Sequence, residues 1–412
     1  MNIIPLSDDP INEAKLFGFD ELSDKLTEFV MSERTITPFV IAINGEWGSG
    51  KSSILLTTMK KLQGKLESAS IKLKVVYFDA WQYESSNPAA ALVYRMIEPI
   101  QSTKVSNAMN IAYLVVDLVA RNSLNMSLSD MKNHFKNSIQ AVDTLGDYIQ
   151  KTLNEKLPKG RLIVLIDDLD RCTIDNALSI LNSIKLFLSM KQCLFVIAVD
   201  MKKLELAWKA RYGIDKELTT EGTSYLDKIF QMRIGVPPKT SEELKKYIKG
   251  LIPEISDELA TFVSKIGPKN LRKIKRLLNI ASFHAFGGKA KVRKFELAII
   301  WVIFEYILHN KFYAIAVFNQ IKNESGYDFL TTVNEKIPTD PDSFSKYLNT
   351  AQPFAKYGGA GSVRGSFREY CIEVRKVLSL FKESHTELNE SLSEIVKSSE
   401  EAQEEMDYGD WV

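Results

Sequence analysis

The sequence predicts an α/β fold: a mostly parallel five-stranded sheet with a helical insertion, followed by a helical C-terminal region. Three observations carry this. Five short apolar runs alternate with helical stretches over the first 237 residues, the pattern of parallel strands covered by crossover helices. A glycine-rich segment, Gly45 to Ser52, joins the first run directly to a helical pattern. After Pro237-Pro238 no run of that strength recurs, and the periodicity stays helical.

The elements follow in chain order. Phe17, Phe19, Leu22, Leu26 and Phe29 recur at helical spacing and predict one amphipathic helix. Pro38 precedes Phe39–Ile43, an apolar run suited to a central strand. Val75–Phe78, Leu162–Ile166 and Leu194–Val199 are three more, and Ile229–Val236 is a weaker fifth. Residues 86–158 are long, mostly polar and helix-prone, so they read as a helical insertion closed by Pro158 and Gly160. The expected domains are a sheet core over 1–237, a helical subdomain over 238–300 and a helical region over 301–412. Within the last, Gln352–Ser366 reads as a loop. Glu383–Val412, with ten acidic residues and one lysine, reads as a solvated helix or a disordered tail.

Composition removes whole classes of function. The chain has 412 residues, 53 basic and 52 acidic, for a net charge of +1. A uniformly basic nucleic-acid coat is therefore excluded. Residues 265–294 nonetheless carry ten Lys or Arg and no acid. That stretch is a solvated helix face, a nucleic-acid surface, or a dock for the acidic tail or a partner. Cys172, Cys193 and Cys371 form no C-x-x-C pair, and the four histidines are scattered. A disulfide scaffold and a zinc site are both disfavoured. The start, MNIIPLSDDP, lacks a basic then apolar leader, and together with the sparse cysteines it predicts a cytoplasmic location. The apolar windows Ile111–Val116 and Trp301–Leu308 are far shorter than the roughly 20 residues of a spanning helix. They read as buried helices, and no membrane span is expected.

Gly45-Glu46-Trp47-Gly48-Ser49-Gly50-Lys51-Ser52 fits G-x-x-x-x-G-K-[ST] at each specified position. Glycines let backbone approach phosphate closely. Successive N–H groups and a helix N-terminus offer an anion fixed donors and positive potential. Lys51 adds a cation for β- and γ-phosphates, and Ser52 adds a hydroxyl for Mg²⁺. The binding set is residues 45–52 together with Ser53. A second run ends in Asp167-Asp168, placing carboxylates at the carboxyl end of a strand, where open α/β sheets bind ligands. Asp167 is assigned to Mg²⁺, and Asp168 to orienting or deprotonating an attacking water. No N/T-K-x-D motif of guanine-specific proteins occurs, which points to ATP.

These residues resemble the KAP family of P-loop NTPases over about residues 15–280. The resemblance runs through Ile43–Ser52, Phe78-Asp79-Ala80-Trp81-Gln82-Tyr83 and Asp167-Asp168-Leu169-Asp170-Arg171-Cys172. It continues through Ile184–Leu188, Phe195–Asp200, Tyr225–Ile229 and Asn270–Arg276. It implies an ATPase core with an extra strand between the P-loop strand and the carboxylate strand, and Val75–Phe78 lies between them in the chain. It further implies Asp200 as a sensor and Arg272 in a phosphate-sensing position, with Arg171 and Arg276 as further phosphate contacts. Two positions depart from the family pattern: Asp79, often Asn, and Leu271, often Pro. Trp47 and Trp81 read first as packing residues. Bacterial relatives of this kind include phage-exclusion proteins. The resemblance thus implies an oligomeric ATP-driven switch in anti-phage defence, acting with a separate effector protein. A DNA-stimulated motor or loader, resting on residues 265–294, and a non-hydrolysing nucleotide scaffold are the alternatives.

Overall fold

The structure is a computed structural model. It describes residues 5–100 (apart from 12, 13, 67, 68, 70 and 86), 147–212 (apart from 148 and 189), 226–285, 294–308, 314, 315, 318, 319, 329–344 (apart from 339), 361–379 and 385–401. Most of the 86–158 insertion, Ile111–Val116 within it, Tyr225, residues 286–293, 352–360 and 402–412 lie outside the described residues. The chain divides into two compact units, Pro10–Pro238 and Met1–Asp9 with Lys239–Val412.

The first unit holds α1 (Phe19–Met31), β1 (Phe39–Asn44), α2 (Lys51–Gly64), β2 (Leu73–Asp79) and α3 (Pro88–Ile97). It continues with β3 (Arg161–Asp167), α4 (Ile174–Phe187), β4 (Cys193–Val199), α5 (Met201–Tyr212) and β5 (Met232–Gly235). The strands form one sheet in the order β2-β3-β4-β1-β5, and all neighbours run parallel. β3 and β4 are buried at every position, which is why their sequences are continuous apolar runs rather than alternating ones. Each such Leu, Ile or Val contributes about 1.5–3 kcal/mol by leaving water. The edge strands β2 and β5 are only partly buried, and polar residues enter them.

Each predicted run overlaps a strand. Val75–Phe78 separates the P-loop and carboxylate strands only along the chain, however. In the sheet, β4 lies between β1 and β3, and β2 is the outer strand beyond β3. Crossover connections let chain order and sheet order differ. The weak fifth run is half strand: Leu226, Ile229 and Phe230 are buried before β5 begins. The predicted N-terminal helix starts at Phe19, with Phe17 just outside it at φ 64°.

α1 packs on α2. Lys61 of α2 pairs with Asp20 and Asp24 of α1 at 2.8 and 2.7 Å, and the Ser23 hydroxyl donates to the Ile54 carbonyl at 3.3 Å. The helix that carries Lys51 and Ser52 is thereby held from outside the sheet.

The second unit is helical: α6 (Ser241–Leu251), α7 (Asp257–Ile266), α8 (Leu271–Ala285), α9 (Lys294–Leu308), α10 (Gly361–Leu378) and α11 (His385–Glu401). α9 is its core and packs against α8, α10 and α11. Phe304 of α9 lies 5.0 Å from Phe329, 5.8 Å from Phe367 and 5.5 Å from Tyr370, centroid to centroid. Trp301–Leu308 is thus a buried helix of this core. No helix among the described residues is long and apolar enough to cross a membrane.

Two expectations in this unit fail. Residues 361–366 are not loop: they open α10. Phe367, Tyr370, Cys371, Val374, Val377 and Leu378 form one buried stripe, and its packing offsets the roughly 1 kcal/mol that each helical glycine costs. Nor do residues 385–401 form a solvated helix. Leu388, Leu392, Ile395 and Val396 of α11 are buried, so four apolar residues at helical spacing outweigh the acidic composition.

Candidate functional site

Strand β1 ends at Asn44, and the chain turns through Gly45–Gly50 into α2. Gly48 and Gly50 have φ 75° and 109°, values that disfavour side chains. A Cβ on Gly50 would also lie 2.4 Å from the Phe19 ring. One on Gly45 would lie 2.6 Å from Ser49 Oγ and 2.8 Å from Val236. The loop is stitched in place: Gly45 N–H donates to the Val199 carbonyl at 3.2 Å, and Ser49 N–H to the Glu46 carbonyl at 3.1 Å. The buried Ser49 hydroxyl has no hydrogen-bond partner among the described residues, an orphan polar group suited to a polar ligand. Glu46 is exposed and Trp47 half-buried. Ser53 Oγ is engaged away from the loop, where it accepts the Ile11 N–H at 3.3 Å.

Lys51 curls back over this loop. Its Nζ donates to the Gly45 carbonyl at 2.8 Å, the Glu46 carbonyl at 3.2 Å and Asp170 Oδ2 at 3.1 Å. The Lys51 and Asp170 side chains are only 6% and 2% exposed.

Asp167 closes β3 beside it. The Ser52 hydroxyl donates to Asp167 Oδ1 at 3.1 Å, and the Tyr77 hydroxyl to Oδ2 at 2.9 Å. The Asp168 N–H also donates to Oδ1, at 2.9 Å. Burial raises the Asp167 carboxyl above the ordinary carboxylate range, and these three donors oppose that rise. The Tyr77 hydroxyl is held well above its usual value, first by burial and then by the negative Asp167. Ser52 Oγ and Asp167 form a hard oxygen pair. Among the described residues no group of three or more His, Cys, Asp or Glu could hold a metal. Two protein oxygens suit Mg²⁺, which keeps several waters and takes its other ligands from phosphate.

Asp168 adopts the left-handed region, φ 53°, at the turn where the chain leaves the sheet. Its carboxylate pairs with Arg171 Nε at 2.8 Å. Burial, then the neighbouring Asp167, push its carboxyl up to about 6, against the pull of Arg171. Arg171 in turn lies over the Trp81 ring, 5.1 Å from its centroid. Trp81 is 52% exposed. The packing role expected of it fails because its partner is a cation at the surface rather than the core. A cleft of about 370 Å³, lined by Tyr77, Asp79, Trp81, Gln82, Tyr83 and Arg95, shares Tyr77 with the carboxylate cluster.

Asp200 follows β4 and is buried. Its Oδ1 accepts the N–H groups of Lys202 and Lys203 at 3.1 and 3.3 Å, capping α5. Asn44 Oδ1 accepts the Met201 N–H at 3.1 Å. Arg272 lies in the helical unit, on α8. There Arg272 Nε and Arg276 Nε both face Asp8 Oδ2 at 3.4 Å. Lys265, which begins the basic stretch, pairs with Glu373 at 3.1 Å. Among the described residues the acids paired with this stretch include Asp8 and Glu373, and residues 402–412 of the acidic tail lie outside the described residues.

The structure thus brings Lys51, Ser52, Asp167 and Asp168 together with two residues that sequence reasoning gave no role. Tyr77 is the one hydroxyl-bearing residue of β2, two positions before Asp79 and so on the same face. Asp170 stands three residues after Asp167, and the single turn Leu169–Arg171 returns it toward the sheet. A polar tip inside an apolar strand and a third acid after Asp167-Asp168 were the available signals.

Among solved structures, the chain is similar to Aeropyrum pernix ORC1 in complex with DNA, at 13% identity over 94% of each chain and a TM-score of 0.42. It is similar to Aeropyrum pernix ORC2, at 11% identity over 96% of this chain and 98% of that one, TM-score 0.39. AMPPCP-bound DnaA from Aquifex aeolicus is another, at 14% identity over 93% and 94%, TM-score 0.32. No curated protein matches the chain. Residues 19–286 match the KAP family P-loop domain. That match takes in the glycine loop, both carboxylates and all five strands and spans well over half of the sequence, so this protein belongs to the KAP family of P-loop NTPases.

Proposed function

We propose that the chain binds and hydrolyses ATP with Mg²⁺ and acts as an oligomeric molecular switch. The observation that carries this is the meeting of Ser52 Oγ and Asp167 Oδ1 at 3.1 Å, one residue from the loop lysine. Loop amides and the α2 N-terminus would receive the phosphates, with Lys51 as their cation. Ser52 and Asp167 would hold Mg²⁺, which when bound supplies charge neutralisation on the phosphate oxygens. Asp168 is assigned to orient the attacking water and accept its proton, and a carboxyl held at about 6 suits that role near neutral pH. Asp200 and Arg272 are the proposed nucleotide sensors of the two units.

Lys51→Ala is expected to abolish measurable MgATP binding by calorimetry; retained affinity would remove the site. Asp168→Asn is expected to slow turnover at least about a hundredfold, the lower end of the range for a lost general base, with ATP affinity intact. Equal turnover would transfer the water-orienting role elsewhere. GTP should compete poorly with ATP. Light scattering with and without ATP tests oligomerisation. The anti-phage setting and the effector protein rest on motif resemblance. Plaque counts on cells carrying the chain, with and without its neighbouring gene, test them.

A DNA-stimulated ATPase is the second reading, favoured by the basic stretch 265–294. The pairing of Lys265, Arg272 and Arg276 with Glu373 and Asp8 works against it by consuming basic groups. Turnover with and without duplex DNA at several salt concentrations separates the readings, since phosphate contacts weaken steeply with salt. The presence of both Asp167 and Asp168 argues against a non-hydrolysing scaffold.

A further inference from the structure

Lys51 has three N–H donors, and all three are in use: the Gly45 carbonyl, the Glu46 carbonyl and Asp170 Oδ2, at 2.8, 3.2 and 3.1 Å. A phosphate oxygen can therefore reach Nζ only by replacing an acceptor. The three are not equally replaceable. Gly45 and Glu46 belong to the loop, whose backbone is bonded to Val199 and Ser49. Asp170 belongs to a separate short turn, Leu169–Arg171, and it alone carries a negative charge that repels phosphate. With Lys51 and Asp170 only 6% and 2% exposed, solvent screens that repulsion poorly.

We propose that Asp170 is the residue a nucleotide phosphate displaces from Lys51. By competing for the ammonium, it selects ligands whose β- or γ-phosphate reaches that far. This inference rests on the nucleotide reading above and adds its specificity-determining residue. The exchange is non-covalent: one Nζ–H···Oδ2 bond breaks and one Nζ–H···O–P bond forms. In the nucleotide-free protein Asp170 compensates a buried cation, because an unpaired one is strongly unfavourable. In the loaded protein it is surplus negative charge. Neutralising it should shift the two states in opposite directions.

The test uses full-length wild type and Asp170→Asn, an isosteric change. Calorimetry is run with MgATP and with AMP at one ionic strength, and melting is measured without nucleotide. The variant is expected to bind MgATP about tenfold more tightly, a coupling of the usual size between linked sites, to bind AMP unchanged, and to melt at a lower temperature when empty. Unchanged or weaker MgATP binding overturns the exchange while leaving the nucleotide reading intact. Equal tightening of AMP also overturns it, since that signals only a changed surface field. A wild type that binds no MgATP removes both. Should Asp170→Asn not fold, Lys51→Met/Asp170→Asn is expected to fold, because the orphaned cation is gone; an unfolded double variant overturns the pairing.

Discussion

The Tyr77 hydroxyl donates to Asp167 Oδ2 at 2.9 Å, across 90 positions of the chain. Strands β2 and β3 run parallel with Tyr77 opposite Leu165 and Asp79 opposite Asp167, so the tyrosine reaches forward along the same face toward the carboxyl ends of the strands. One of three donors that hold the proposed Mg²⁺ ligand thus comes from an edge strand. Tyr77→Phe removes it without changing shape. Expected is a loss of about 1.5–3 kcal/mol, the range for a hydrogen bond to a charged group, and a higher Mg²⁺ requirement for ATP turnover. Urea unfolding and a magnesium titration measure the two; if neither moves, the hydroxyl is idle.

Gly50 is constrained twice, by φ 109° and by the Phe19 ring 2.4 Å from where a Cβ would sit. Gly50→Ala should therefore destabilise by about 2–4 kcal/mol, from backbone strain and overpacking together, and weaken ATP binding. Adding Phe19→Leu relieves the contact but not the dihedral, so the double variant should recover only part of the loss. Full recovery in thermal melts would show that the φ requirement is negligible.

Arg161 is buried at the start of β3, where its two terminal nitrogens donate to the Val30 and Thr35 carbonyls, each at 2.6 Å. It thereby fixes the chain leaving α1, the helix that buttresses the loop. Arg161→Met keeps the apolar stem and strands both carbonyls. A loss of about 2–4 kcal/mol is expected, with faster amide exchange at the C-terminal end of α1. Stability within experimental error of wild type would refute the tie.

Asp257 is held at about 2, first by Lys245 at 2.9 Å and then by Lys249. A carboxyl lowered in the folded state stabilises above its unfolded value near 4, and loses that contribution as pH falls through about 2. The urea-midpoint difference between wild type and Asp257→Asn should therefore shrink between pH 5 and pH 2. Because Asp257 lies at the surface, 1 M salt should erase most of it. A difference insensitive to both pH and salt would mean the pair contributes through packing instead.

Much of the site was legible because its chemistry is local. Eight consecutive residues from Gly45 to Ser52 specify a loop, and Leu162–Ile166 with Asp167 specifies a buried strand with a carboxylate at its end. Neighbourhood in space was less accessible. Nothing in the run Leu194–Val199 states that β4 lies between β1 and β3. Residue type misled for Trp81, whose partner is Arg171 rather than the core. Composition misled for residues 361–366, which open the helix whose buried stripe begins at Phe367, and for residues 385–401, where acids mask a buried stripe.

By itself, then, the amino-acid order determined the five strands, the glycine loop, the lysine and serine at the head of α2, and the family. These depend on periodicity and backbone chemistry within a single segment. Only the tertiary structure decided that Tyr77 serves Asp167 and that Asp170, 119 residues from Lys51, takes its third donor. Those pairings follow from sheet register and from one turn after β3. Both are fixed by packing across the whole unit, where a buried charge must find its partner wherever the fold brings one within reach.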